Sequence, residues 1–491
     1  MKYVSYILIF MLIALPVTAM PRKYQEVVVT NISHQQIIRL TQEGLIIDNI
    51  YKNTAHLFLS SDQFRILDAM GLDYAVKQAP SLRDRDNYPS FDEITVRLKN
   101  LAKNHPDICQ LYNIGLSVEN HPLWFVKISD NVTHEEDEPE VKYISSMHGD
   151  EPLGMFFCLN FMDRLLENYG KDERMTNFVN TMEIWVMPLM NPDGYVHHQR
   201  ENRQGYDLNR EFPDRVDDNN NTTSGRPIEV QHVMNLEFKH SSILSANLHG
   251  GTMVVNYPYD SDFNPSARYS ATPDDTLFRE MALSYSLNNP SMKNSTDFDL
   301  GITNGVDWYF VYGGMQDWSY VWMGCMEVTI ELWDDKWPPY SQIPDLWMDN
   351  QASMFKYIEW ALKGVRGLVT DKIRGIPLKA TVCVKNIDFN VYTDPDVGDY
   401  HRILLPGTYD IQYSAPGYIS KTIKSVQVTD GDAIRVDVQL MPMEPVFELS
   451  DIIRMLRGLS GFVEHVSFLD IDQDEHFNLA DVICGIRVVS D

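Results

Sequence analysis

Val141-Lys142-Tyr143-Ile144-Ser145-Ser146 runs directly into Met147-His148-Gly149-Asp150-Glu151. The first six residues carry β-branched and apolar side chains on both faces, the pattern of a strand buried from two sides in an α/β sheet. Glu183 to Leu189, Ile243 to Leu248 and Glu327 to Leu332 repeat it, with helical stretches between. An α/β domain with a sheet at its centre is therefore expected. Such sheets place chemistry on loops at strand ends. Here His148 and Glu151 follow one strand, His249 follows another, and Glu331 interrupts a third.

Working outward, Ser90-Phe91-Asp92-Glu93 is a capping box that opens a helix to about Asn104 and the large domain with it. A helix over 350–363, stopped by Gly364, closes that domain, giving it bounds of 90–363. Upstream, residues 24–76 read strand, helix, two strands, helix, strand. That βαββαβ order marks a small α+β domain (20–76), a pro-domain or an accessory one. The polar stretch 77–89, with Arg83-Asp84-Arg85-Asp86, reads as an exposed linker whose cleavage would release it. Downstream, turn signals at Gly375, Gly398, Pro406-Gly407 and Pro416-Gly417 punctuate short strands, so 364–442 is expected to be a β-sandwich. The final segment, 446–491, echoes itself: Leu449-Ser450-Asp451-Ile452-Ile453 and Leu479-Ala480-Asp481-Val482-Ile483 open two similar short helices.

Bulk composition agrees with several domains, since 491 residues exceed one ordinary core. The 41 basic and 69 acidic residues give a formal charge of -28, which opposes nucleic-acid and anionic-membrane partners. Lys2, the apolar run Tyr6 to Leu15 and Val17-Thr18-Ala19 fit a secretory signal over 1–19. That run is about half the ~20 residues needed to span a bilayer, so secretion without stable membrane insertion is expected. The five cysteines, Cys109, Cys158, Cys325, Cys383 and Cys484, form no CxxC pair and read as core residues. Glycosylation triplets begin at Asn31, Asn131, Asn221 and Asn294.

A spacing of three lets His148 and Glu151 converge on one ion, and His249 can complete a His₂Glu set for Zn²⁺ with one position open for water. Asp150 is a candidate to orient a ligand histidine. Hydrolysis of an amide also needs a carboxylate to carry the proton. Glu331 suits that role, because a charge in an apolar strand is costly unless it is paired or faces a polar cavity.

With these residues assembled, 88–363 resembles the zinc metallocarboxypeptidases, and within them the carboxypeptidase E, N, M and D group. The matching segments include His148-Gly149-Asp150-Glu151, Asn191-Pro192-Asp193-Gly194-Tyr195, Arg200-Glu201-Asn202, Asp207-Leu208-Asn209-Arg210, Leu248-His249-Gly250-Gly251, Asn256-Tyr257-Pro258-Tyr259-Asp260, Gly313-Gly314-Met315-Gln316-Asp317 and Glu327 to Leu332. The ligand set is the one carboxypeptidases are known for, so it is no independent finding. The resemblance implies that Arg200 polarises the scissile carbonyl, that Asn209 and Arg210 bind the terminal carboxylate, and that Tyr309 closes over the substrate. It also implies that Asp260 and Gln316 shape a pocket for C-terminal Arg or Lys. Gln199 and Glu211 depart from the group's usual Gly and Asn, which leaves fine preference open. The β-rich segment looks like the transthyretin-like domain of the same group, on Gly398-Asp399-Tyr400-His401-Arg402 and Leu405-Pro406-Gly407-Thr408-Tyr409.

In the tail, Asp470, Asp472, Asp474, His476, Asn478 and Asp481 stand at positions 1, 3, 5, 7, 9 and 12 of a Ca²⁺ loop. The tail resembles a dockerin module, which implies a cohesin-like receptor as partner; Glu475 stands where the turn usually needs Gly. Three functions remain in competition. They are release of C-terminal basic residues from peptides, cleavage of diaminopimelate-containing cell-wall peptides, and an inactive binding scaffold.

Overall fold

The computed structural model describes residues 24–51, 53–77 and 87–443, with isolated positions beyond. The signal segment, most of the linker, Cys484 and the acidic tail loop from Asp470 to Asp481 lie outside the described residues.

The N-terminal domain has the expected order: β1 (Gln25–Thr30), α1 (His34–Gln42), β2 (Ile46–Tyr51), β3 (Thr54–Leu59), α2 (Phe64–Ala69) and β4 (Tyr74–Val76). Its antiparallel sheet runs β2-β3-β1-β4. Ser33 caps α1 in a capping box with Gln36. Alternation puts Ala55, Leu57 and Leu59 of β3 inward, where they meet Ile37 and Leu40 of α1 in one core. The register against β3 slips between Ile47 and Asn49, so Asp48 is an extra residue in β2. A bulge of this kind re-aims the side chain it inserts.

The central domain is built on eight strands: β5 (Cys109–Leu116), β6 (Pro122–Ile128), β7 (Glu140–Ser145), β8 (Glu183–Met187), β9 (Leu244–His249), β10 (Thr252–Tyr257), β11 (Ile302–Asn304) and β12 (Met326–Trp333). Their order is β11-β10-β12-β9-β7-β8-β6-β5. β12, β9, β7 and β8 are parallel, while β5, β6 and β10 introduce antiparallel pairs, which makes the sheet mixed. Every residue of β7, β8 and β9 is buried, as their continuous apolar runs require. The capping box at Ser90 forms, opening the helix Phe91–Asn104. The closing helix is Ile343–Ile358, starting earlier than the expected 350. Pro344 explains the difference: it sits in the first turn, where its missing N–H costs nothing, although it reads in sequence as a breaker.

Beyond residue 364 two small sheets pack as a sandwich. One contains β13 (Val365–Asp371), β16 (Asp399–Arg402), β18 (Tyr418–Ile419), β20 (Ile434–Arg435) and β21 (Val438–Pro442). The other contains β14 (Thr381–Val384), β15 (Asn390–Tyr392), β17 (Gly407–Ser414) and β19 (Lys421–Val428). Cys109, Cys158, Cys325 and Cys383 are unpaired. Among the described residues no helix is long and apolar enough to cross a membrane.

Candidate metal centre and cleft

The parallel strands β12, β9 and β7 are neighbours, and their C-terminal ends carry the chemistry. Glu331 on β12 lies in register with His249, the last residue of β9, and His148 and Glu151 follow β7 next door. Three groups distant in sequence thus meet at the C-terminal ends of the sheet's central strands.

The loop that carries His148 is held from outside. Gly149 must be glycine, since a Cβ there would lie 2.1 Å from the carbonyl carbon of Gly194. The Asn191 amide donates to the carbonyls of Met147 and Arg200 at 3.2 Å each and accepts from Gly194 N at 2.8 Å. The segment Asn191-Pro192-Asp193-Gly194 therefore ties the histidine loop to the Arg200 loop.

His148 Nδ1, His249 Nδ1 and Glu151 Oε2 form a triangle with sides of 3.0, 2.9 and 3.1 Å. Donors bound tetrahedrally about 2.0–2.2 Å from one zinc ion stand roughly 3.3 Å apart, so this triangle is close to ready-made. All three side chains are buried. Burial pushes the His249 imidazole down to about 4, so it is neutral, as a ligand must be. The Nε2–H of His148 points to Asp207 Oδ1 at 2.9 Å, which leaves the Nδ1 lone pair for a metal. The donor set fits Zn²⁺.

Asp207, not Asp150, is thus the residue that orients His148. It also accepts from Arg200 Nε through Oδ2 at 3.0 Å. Burial opposes its ionisation, but Arg200 and His148 outweigh this and hold its carboxyl well below the usual range. Asp150 faces Lys336 at 3.7 Å. Asp207 stood in a recognised segment beside Asn209 and Arg210, so the signal was present; nothing in the spacing said it would reach back to His148.

Glu331 is buried and its Oε2 has no hydrogen-bond partner. Burial, then the negative charges of Glu151 and Asp48, push its carboxyl well above the usual range. A divalent ion beside it would reverse that balance. Arg200, Asn209, Arg210, Tyr309 and Asp260 line the same cavity. Asn209 Oδ1 accepts from Met315 N at 3.0 Å, and Asp260 Oδ1 from Asn256 Nδ2 at 2.8 Å. Gln316 stands one layer back, its Oε1 holding Thr329 N at 2.8 Å, while Thr329 lines the cavity.

Sequence reasoning missed what fills the cleft. The bulged Asp48 places Oδ1 2.5 Å from Arg200 Nη1 and 2.7 Å from Lys336 Nζ. Its backbone carbonyl accepts from the Tyr309 hydroxyl at 2.9 Å, and that of Ile47 from Arg210 Nη2 at 3.0 Å. Asn49 Nδ2 donates to Gly251 O, and Trp308 Nε1 to Ile50 O. The cavity left around the triangle and Glu331 is about 20 Å³, room for about one water.

The zinc carboxypeptidase family model matches residues 94–353, and the chain belongs to that family. A carboxypeptidase regulatory-like model matches 364–441. The chain is 42% identical to human carboxypeptidase D over 372 residues, 72% of this chain and 26% of that protein, so it spans about a quarter of that relative. It is 39% identical to carboxypeptidase SOL1 of Arabidopsis thaliana over 345 residues, 70% of each, and 35% identical to the human carboxypeptidase N catalytic chain, covering 83% of it. Among solved structures, carboxypeptidase A from Helicoverpa armigera shares the fold with a TM-score of 0.56 at 17% identity, covering 68% of this chain and 97% of that one.

Proposed function

We propose that this chain removes the C-terminal residue of peptides or proteins, releasing Arg or Lys, and that its N-terminal domain blocks it until the linker is cut. The hydrolytic reading rests on the triangle of His148, Glu151 and His249 with Glu331 beside it. Zn²⁺ in that triangle would lower the pKa of a bound water to about 7 and polarise a carbonyl. Glu331 takes the proton of the attacking water and delivers it to the departing amine. Arg200 holds the carbonyl oxygen as negative charge develops on it. Arg210 and Asn209 bind the terminal carboxylate, which limits cleavage to the last bond.

Basic specificity rests on Asp260. Burial pushes its carboxyl up to about 7, so a cationic side chain entering the pocket supplies the counter-charge it lacks. Inhibition is supported by β2: Asp48 and the carbonyl of Ile47 engage Arg200, Arg210 and Tyr309, the groups a substrate needs.

The test uses chain cut in the linker and blocked dipeptides differing only in the final residue. Arg ends should exceed Leu ends in kcat/KM, Asp260→Ala should erase the difference, and Glu331→Gln should lower kcat on all by about 10²–10⁴-fold. KM for Arg ends should rise as pH falls through about 7, because Asp260 is then protonated and neutral. A preference for diaminopimelate ends would favour the wall-peptide reading, and cut chain that neither holds zinc nor hydrolyses anything would leave the scaffold reading. Secretion, a transthyretin-like ancestry for the sandwich, and Ca²⁺ or cohesin-like receptor binding by the tail are proposals carried by sequence alone.

A further inference from the structure

Five groups of three ligand-type side chains occur among the described residues, and one is the centre above. Glu119, His121 and Asp193 form a satisfied network, in which Asp193 accepts from Ser117 Oγ, His121 and Glu119 N. Glu135, Glu140 and His240 read as an ion pair, since hydrogen bonding and charge from Glu140 outweigh burial and raise the His240 pKa. Glu136 and Glu138 share their group with an exposed Asp130.

Glu136 Oε2, Glu138 Oε2 and Glu140 Oε2 of those two groups are also buried without a partner, but the remaining group, Asp137, Asp399 and His401, sets two such oxygens beside an imidazole that stays neutral. Asp399 and His401 are two apart on β16, so both side chains leave the same face of the strand. That face meets the loop 129–139 of the central domain, which brings Asp137. One ligand atom from each of the three lies within 4.8 Å of the others. Asp399 is 3% exposed and its Oδ1 has no hydrogen-bond partner; Asp137 Oδ1 is likewise buried without one. Arg435 holds Asp137 through the other oxygen, Oδ2, at 2.5 Å, with Arg366 at 3.8 Å from it. His401 Nε2 lies 3.0 Å from Asp399 Oδ2. Burial, then Arg366, pushes His401 down to about 3, so the imidazole is neutral. Burial and the neighbouring Asp394 and Asp137 push Asp399 up to about 8. Two carboxyl groups with orphaned oxygens beside an imidazole form a cation site that hydrogen bonds leave incomplete.

We propose that Asp137, Asp399 and His401 bind a second divalent ion, which clamps the β-sandwich to the central domain. A mixed nitrogen and oxygen donor set suits Zn²⁺ better than Ca²⁺. The proposal is independent of the hydrolytic reading.

The test strips the full chain with chelator, titrates it with Zn²⁺ alone, and counts bound metal after gel filtration. Parent chain should retain about one equivalent more than either Asp399→Asn or His401→Gln, with His249→Gln losing a different equivalent. Zinc taken up by the acidic tail is common to all chains and cancels in the difference. Zn²⁺ should also raise the unfolding midpoint of the His249→Gln chain and not that of the His249→Gln, Asp399→Asn chain. Equal zinc content in parent, Asp399→Asn and His401→Gln, or a His249→Gln midpoint that zinc leaves unchanged, overturns the proposal.

Discussion

The two domains that flank the central one are joined to it to different degrees. The β-sandwich shares the main hydrophobic cluster with the central domain: Phe389 stacks on Tyr320 at 4.1 Å, and Val391 and Ile403 join the same core. Arg402, fully buried, pairs with Asp274 of the central domain at 2.7 Å. The N-terminal domain keeps a core of its own, to which the central domain lends Val254, Trp308, Tyr309 and Val311. Its polar contacts fall on Arg200, Arg210 and Tyr309, which are proposed for substrate binding, and beside them on Lys336, Gly251 and Trp308. A large shared apolar core makes a permanent joint, whereas four lent apolar residues and polar contacts into a binding cleft make a plug that can leave.

The largest effect should come at the permanent joint. Arg402→Ala strands Asp274 in the interior, and the expected loss is about 3–5 kcal/mol in chemical denaturation. Sandwich and central domain should still unfold in one transition; two separate transitions in the parent would break the contrast. Next, cutting the linker should raise turnover by about 10²-fold, the release of about 2.7 kcal/mol of closure. Equal rates before and after the cut would show that the N-terminal domain is an ordinary neighbour.

Asp48→Ala removes a buried, charge-assisted contact worth about 2 kcal/mol, so uncut variant should turn over about 30-fold faster than uncut parent. Once both are cut they should be indistinguishable, which separates unplugging from a change in the site. The smallest effect concerns acid. Burial raises the Glu26 pKa, but hydrogen bonds from His56 and Lys77 outweigh it and bring the carboxyl down to about 2. A folded pKa below the unfolded value stabilises above about 4.5, and that contribution is lost as pH falls toward 2. Because Glu26 is partly exposed, solvent screening reduces its worth to roughly 1 kcal/mol. The N-terminal domain should therefore lose about that much stability as pH falls toward 2, read by protease sensitivity, and Glu26→Gln should remove that loss.

Much of this was legible beforehand. Continuous β-branched runs predicted the buried strands to within a residue or two, and capping chemistry predicted the start of the helix at Phe91. Those signals are local, so they survive in a single sequence. His148, Glu151, His249 and Glu331 were legible as a set because ligand types at strand ends are rare enough to stand out. Asp207 was misjudged in favour of Asp150, because adjacency in sequence says nothing about which carboxylate an imidazole nitrogen will face. Asp48 carried no signal at all: a single acid in a short strand of a separate domain looks like any solvated residue.

What the sequence alone determined is therefore the parts list: the order of the three described domains, the buried strands, and the ligand-type residues at their ends. Periodicity, capping and side-chain chemistry act over a few residues, and a chain states them directly. Tertiary structure decided which strands became neighbours, how three donors came within about 3 Å, and that one bulged residue reached Arg200 across 152 positions of chain. Those outcomes depend on packing between distant segments, which no local pattern encodes.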